Sequence, residues 1–156
     1  MTAEWTASLP RKRMGAGVLF RRPGDDDRVL LVEPTYKPDW EIPGGVVEAD
    51  ESPRAAAARE VAEEVGLTVV PGRLLVADWV PPIDGRTEGL MMLFDGGVLD
   101  AGVAITLPAE ELRSWTWATP QEVEELMLPF VARRVTAARH AAVAGTTVYL
   151  ELGFDR

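Results

Sequence analysis

The segment GGVVEADESPRAAAAREVAEEVGL, residues 44–67, decides how the rest of the chain is read. Two glycines open it, acidic residues follow, and from Pro53 the composition turns to alanine with regularly spaced charges. Ser52 places a hydroxyl where it can cap the free N–H groups of a first helical turn. Pro53 suits the first helical position, and the Ala55–Ala58 run has the highest helix propensity. Gly66 then ends the element, because glycine takes the left-handed conformation that follows a last turn. The pattern predicts a helix between Ser52 and Gly66. Stepping about 100° per residue puts Glu60, Glu63 and Glu64 in one stripe, with Ala55, Ala58, Val61, Ala62 and Val65 opposite, ready to pack on a sheet.

Carboxylates related by i, i+3 and i+4 repel one another, and glutamates near a helix C-terminus also oppose the macrodipole. In water the cost is a few tenths of a kcal/mol, but in a partly buried cleft each pair costs several times more. Positive charge is needed. Arg59 supplies one, by pairing with Glu63 at i+4 or by reaching back to the preceding loop. A divalent cation supplies more, and an oxygen-only donor set favours Mg²⁺ or Mn²⁺ over zinc. Gly44 and Gly45 let backbone approach a ligand closely and leave carbonyls free. Glu51 adds a carboxylate where the loop meets the helix.

Outward from this segment the chain alternates strand and helix. Met14–Phe20 and Val29–Val32 flank a Pro-Gly-Asp-Asp-Asp turn, and Trp40–Ile42 reads as a short strand stopped by Pro43. Leu74–Ala77, Glu88–Phe94, Val103–Leu107 and Thr146–Leu150 are further strand candidates. Thr119-Pro120-Gln121-Glu122 has the chemistry of a capping box and begins a helix reaching Leu128, and a last helix runs from Phe130 to Ala144. Residues 1–13 lack periodicity and are expected to form a flexible arm ahead of a single domain spanning 14–156. The order of elements implies an α/β or α+β fold with helices on a mixed sheet.

Composition narrows the function. The 156 residues carry 16 basic and 25 acidic side chains, a net charge of −9, so a nucleic acid duplex is repelled at long range. With no cysteine and one histidine, His140, there is no disulfide, thiolate zinc site, thiol nucleophile or poly-histidine site. No signal peptide layout or membrane-length apolar run is present, and a cytoplasmic protein is expected.

The same segment resembles the Nudix box, G-x5-E-x7-R-E-U-x-E-E-x-G-U with U aliphatic. It matches at Gly45, Glu51, Arg59, Glu60, Val61, Glu63, Glu64, Gly66 and Leu67. Trp40–Gly45 and the stretch from Glu111 to Trp117 with the Thr119-Pro120 helix start are also similar to family elements, so the likeness covers about residues 14–128. The resemblance implies a Nudix α/β/α sandwich, with a mixed central β-sheet between helices. It also implies hydrolysis of a nucleoside diphosphate linked to a further group. Glu60, Glu63 and Glu64, with the carbonyl of Gly44, would hold Mg²⁺, Mn²⁺ being the substitute. Arg59 would orient the carboxylates and Glu51 would support them. The general base differs among branches of the family: a box glutamate serves in some, and outside the box Glu111 is the first candidate and Glu110 the second.

A small nucleotide such as ADP-ribose, a nucleotide sugar or a nucleoside triphosphate, or another diphosphate, is the expected substrate. Tyr36, Trp40, Trp79, Trp115 and Trp117 offer faces for a base, and Lys37, Arg28 and Arg86 offer charge for phosphate. The sequence leaves a homodimer open. A Nudix-fold domain that binds nucleotide without cleaving it is the alternative, disfavoured by the intact set of glutamates.

Overall fold

Strand β1 (Arg13–Arg21) organises the sheet, and its residues 16–20 are buried in succession, as a strand covered on both faces requires. The computed structural model describes residues 1–156. On one side β1 pairs in parallel with β5 (Gly89–Val98). Beyond it, β4 (Leu74–Val80) runs antiparallel to β5, and β7 (Val148–Glu151) lies parallel to β4 at the edge. On the other side lie β2 (Val29–Pro34) and, antiparallel to it, β6 (Leu112–Ala118). With β3 (Gly44–Val46) also on β1, this is a seven-stranded mixed sheet of order β6-β2-β1-β5-β4-β7.

The site is positioned where β1 and β2 part. They pair only at Arg21 and Val29, and residues 41–46 wedge into the gap that opens beyond. Glu41 bridges Val32, the carbonyl of Pro43 accepts from the N–H of Val18, and Gly44, Gly45 and Val46 pair with Gly17, Ala16 and Gly15. The wedge fits only because Gly44 carries no side chain. A Cβ on Gly44 would stand 2.5 Å from the Ala16 carbonyl and 2.6 Å from the Gly17 Cα. The strand expected at Trp40–Ile42 is thus displaced: Glu41 makes one bridge, and the paired strand begins at Gly44, beyond Pro43, which has no N–H to give a ladder.

Helices cover both faces, giving the expected α/β/α sandwich. Helix α2 (Pro53–Val65) packs Ala56, Ala57, Val61 and Val65 against Val18, Phe20, Leu30 and Phe94. On the opposite face α3 (Pro120–Leu126) and α4 (Pro129–Ala144) cover Leu19, Leu31, Val76 and Leu93. The segment beyond Pro129, outside the reach of the family resemblance, therefore belongs to the core through Ala132, Val135, Ala138 and Ala141. Helix ends form as their residues dictate. Ser52 accepts from the Ala55 N–H, Gly66 closes α2 at φ 71°, and Thr119 and Glu122 form a reciprocal capping box.

Two further expectations change. Ala55 and Ala62 are exposed, and the buried stripe of α2 is Ala56, Ala57, Val61 and Val65, flanked by rather than opposite to Glu60 and Glu64. Alanine is at home on either face of a helix, so an alanine run does not report which side is covered. Residues 103–107 form no strand. They cross the end of α2, where the Thr106 N–H donates to the Val65 carbonyl and Ile105 and Leu107 pack on the α2 core. The N-terminal segment, wholly exposed, contains a short helix, α1 (Ala3–Ser8), capped by Thr2.

Candidate active site

A cleft of about 600 Å³ runs from the C-terminal half of α2, past the 41–46 wedge, to the start of α4. Glu60, Glu64, Glu41, Glu111, Tyr36, Gly44 and Gly45 are among the residues that line it. This volume lies in the range of small-molecule sites. Glu60 and Glu64 face it because they occupy the edge of the buried stripe one turn apart, whereas Glu63 turns to solvent with its side chain 58% exposed.

Arg59 holds the loop, the helix and the carboxylates together. Its Nε donates to Glu51 Oε1 at 2.8 Å and its Nη2 to Glu51 Oε2 at 3.0 Å, a two-pronged pairing. Nη2 also reaches the Val46 carbonyl at 3.0 Å, and Nη1 donates to Glu60 at 3.0 Å and Glu63 at 3.3 Å. Both options left open by the sequence are taken at once. The Arg59 pairing, with the Glu48 N–H, holds the Glu51 carboxyl below the usual range, and the same pairing raises the Arg59 guanidinium further.

Glu64 sits differently. Its nearest polar partner is the Gly44 N–H at 3.3 Å, and burial, opposed by that bond and reinforced by Glu60, Glu41 and Glu111, pushes its pKa up to about 8. Burial also raises Glu60, against the pull of Arg59. Two carboxyl groups held above their ordinary range by desolvation and by neighbouring carboxylates form an environment short of positive charge.

No three acidic side chains converge on one point. Arg59 engages Glu60 and Glu63, while Glu64 accepts from the Gly44 N–H. The donor chemistry nevertheless fits a hard cation. Every candidate group is an oxygen, Glu64 lacks a cationic partner, and the glycine at 45 leaves the Glu60 carboxylate room. A Cβ at position 45 would meet both oxygens of that carboxylate, Oε2 at 2.8 Å. The neighbour is a flexible side chain, so Gly45→Ala should fold normally while displacing Glu60. The expected result is a loss of at least about tenfold in kcat with a melting temperature close to wild type, since small misplacement of a reacting constellation is costly. Undiminished turnover would show that the space at Gly45 does not matter.

Of the loop carboxylates, Glu111 lines the cleft and Glu110 does not. Thr35 fixes that loop, its N–H donating to the Glu111 carbonyl at 2.9 Å and its hydroxyl to the Glu110 carbonyl at 2.8 Å. Among the five aromatic candidates only Tyr36, 72% exposed, lines the cleft. Trp117 is buried, Trp115 packs edge-on against it, Trp40 packs on the α3/α4 core, and Trp79 donates to Glu88 at 2.6 Å. Lys37 pairs with Glu41, Arg28 bonds Asp26 and the Trp117 carbonyl, and Arg86 is outside the cleft. The basic residues that do line it are Arg13 and Arg134, neither marked by any local motif. His140 is exposed.

A sandwich with a glutamate-bearing helix laid over a glycine-rich wedge is the arrangement that the sequence resemblance implies, and comparison with known proteins agrees. The family profile described as NUDIX domain matches residues 11–138, and the chain belongs to the Nudix family. It is a Nudix hydrolase. It is 35% identical over 127 residues to a MutT-like protein of Streptomyces ambofaciens, covering 81% of this chain and 76% of that protein. It is 31% identical over 149 residues to an RNA pyrophosphohydrolase of Dinoroseobacter shibae, covering 83% and 90%. Its fold matches the Nudix domain of Shewanella oneidensis NrtR, solved with ADP ribose, at a TM-score of 0.71 and 19% identity over 91% of this chain and 99% of that one. Nudix hydrolases generally use divalent metal ions and bind nucleotide-type substrates. No helix of this protein is long and apolar enough to cross a membrane.

Proposed function

We propose that this protein hydrolyses a phosphoanhydride bond of a small nucleotide, with Mg²⁺ or Mn²⁺ as cofactor. The observation that carries the reading is the pairing of two desolvated carboxyl groups, Glu60 and Glu64, in a cleft of nucleotide size. A bound divalent cation would neutralise the pyrophosphate oxygens and make water more acidic. Glu60, Glu64 and the Gly44 carbonyl would hold it, with Glu63 joining by release from Arg59. Arg59 orients Glu60 and ties the helix to the loop through Glu51. Glu111, which lines the same cleft from a loop braced by Thr35, would accept the proton of the attacking water as general base. Tyr36 at the mouth offers a face to a base or sugar. ADP-ribose, nucleotide sugars and nucleoside triphosphates all combine a planar group with a pyrophosphate and suit a cleft lined by both acidic and apolar side chains.

The test is a screen of these nucleotides in ¹⁸O-labelled water, with products identified by mass spectrometry. Hydrolysis should cease in EDTA and return with Mg²⁺, and the label should appear in a phosphate-bearing product. Turnover persisting in excess chelator would remove the metal-dependent reading.

A further inference from the structure

Arg13, at the start of β1, is a cation of the cleft that no carboxylate claims. Of the two basic residues that line the cleft, Arg134 is committed to Asp78. Around them, Arg59 is taken by Glu51, Glu60 and Glu63, Lys37 by Glu41, Arg28 by Asp26 and Lys12 by Glu88. Arg13 makes no ion pair, although four glutamates line the same cleft. Its side chain is nevertheless held. The Nε donates to the Thr87 carbonyl at 2.7 Å, and the stem crosses Gly89, where a Cβ would stand 3.2 Å from both Cγ and Cζ. A guanidinium has five N–H donors, so the four on Nη1 and Nη2 remain, and none of them bonds to the protein. Arg13 is exposed, so water serves those donors until an anion replaces it with stronger, charge-assisted bonds.

Which anion Arg13 meets follows from where it stands. Side chains alternate along a strand, so Arg13 shares one face of β1 with Gly15 and Gly17, which also line the cleft. Gly17 pairs with Gly44, whose N–H binds Glu64, and four residues of strand separate that rung from Arg13 by about 13 Å. Between them the two glycines present no side chain of their own, and the flexible Met91 lies over Gly15. A third phosphoryl group contiguous with a pyrophosphate at the glutamates would stay beside them. A phosphate on the nucleoside's sugar stands a ribose away, which suits the seat of Arg13. We propose that Arg13 is a specificity-determining residue and binds a 2′- or 3′-phosphate carried on the ribose of the substrate nucleotide. The planar fork of arginine matches a phosphate, and arginine accommodates a ribose phosphate in other nucleotide-binding folds. In a chain of net charge −9 such a group needs a cation of its own. This assignment rests on the reading of the cleft as a nucleotide site.

The experiment uses substrate pairs that differ by one ribose phosphate: NADPH against NADH for the 2′ position, and coenzyme A against dephospho-coenzyme A for the 3′ position. Values of kcat/KM are measured for the wild type, Arg13→Gln and Arg13→Lys. Binding of AMP, adenosine 2′,5′-bisphosphate and adenosine 3′,5′-bisphosphate, which have no anhydride to cleave, is measured calorimetrically with Mg²⁺ present. In the wild type the ribose phosphate should raise kcat/KM at least about tenfold in one pair, as hydrogen bonds to a charged group allow, and that pair identifies the position read. In Arg13→Gln the advantage should shrink to within about threefold, chiefly through KM, with Arg13→Lys intermediate because it keeps the charge but loses the fork. A purely structural role would lower both members of a pair alike. Neither pair reaching about tenfold in the wild type, or an advantage kept in Arg13→Gln, would overturn the proposal. If Arg13→Gln does not fold, Gly89→Ala, whose Cβ crowds the Arg13 stem, supplies the second variant and should also reduce the advantage. Tighter binding of a bisphosphate than of AMP with no hydrolysis of any nucleotide would sink the proposed activity and support the recognition by Arg13. Hydrolysis with no gain from a ribose phosphate would do the reverse.

Discussion

Replacing Glu64 by glutamine is expected to lower kcat by at least about 10²-fold and, in the metal-free protein, to raise the melting temperature at pH 8. The first effect follows if this carboxylate serves the chemistry, because acid–base or ligand groups contribute at least that much. The second follows from burial. The folded-state pKa of Glu64 is raised from its ordinary 4.5 to about 8. A carboxyl raised on folding stabilises the native state fully below its unfolded pKa, and that contribution is lost as pH climbs through the folded one. The metal-free wild type should therefore lose stability between about pH 5 and pH 8, by an amount of order a few kcal/mol. Glutamine, which never ionises, should flatten this fall. Adding Mg²⁺ should reverse it in the wild type alone, with apparent metal affinity increasing over the same window as the proton leaves. Melting curves from pH 5 to 8 with and without Mg²⁺, set beside steady-state rates, test both. A pH-independent wild-type melting temperature would show that the carboxylate is not desolvated, and near-normal turnover of the variant would remove Glu64 from the chemistry.

Loss of the Asp78 carboxylate is expected to be the most damaging single change to stability. Asp78→Ala leaves the Arg134 guanidinium buried without its counter-charge and frees the Gly153 N–H, and breaking a buried pair from one side costs about 3–5 kcal/mol. The double replacement Asp78→Leu with Arg134→Met should recover most of that loss, since it removes both charges and fills the space. Urea denaturation of the two variants and the wild type measures the difference. Equal destabilisation by the single and double changes would mean that packing, not the unpaired charge, sets the cost.

These two sites were differently legible. The glutamate helix announces itself in a short segment, because capping, helix propensity and i, i+4 spacing are local properties that survive without knowing the fold. Even there the sequence misplaced the covered face, since Ala55 and Ala62 look apolar yet are exposed. The Asp78–Arg134 pair spans 56 positions and joins a strand to a helix that no motif connects. An aspartate in β4 and an arginine in an alanine-rich helix read as ordinary surface charges until the sheet order brings them face to face. The aromatic candidates fail for the complementary reason. A tryptophan's ring stacks on a ligand or fills a core with equal chemical ease, and only the strand's alternation against its neighbours put Trp117 inside.

The sequence alone determined the family, the box helix and its caps, and the row of glutamates with Arg59 among them, because each is written in residues a few positions apart. Tertiary structure decided which glutamates face the cleft, that residues 41–46 wedge between β1 and β2 to bring Gly44 to Glu64, and that Arg134 pairs with buried Asp78. Those outcomes depend on strand register and on the burial of charge, which arise when distant segments exclude water together and cannot be computed from any one of them.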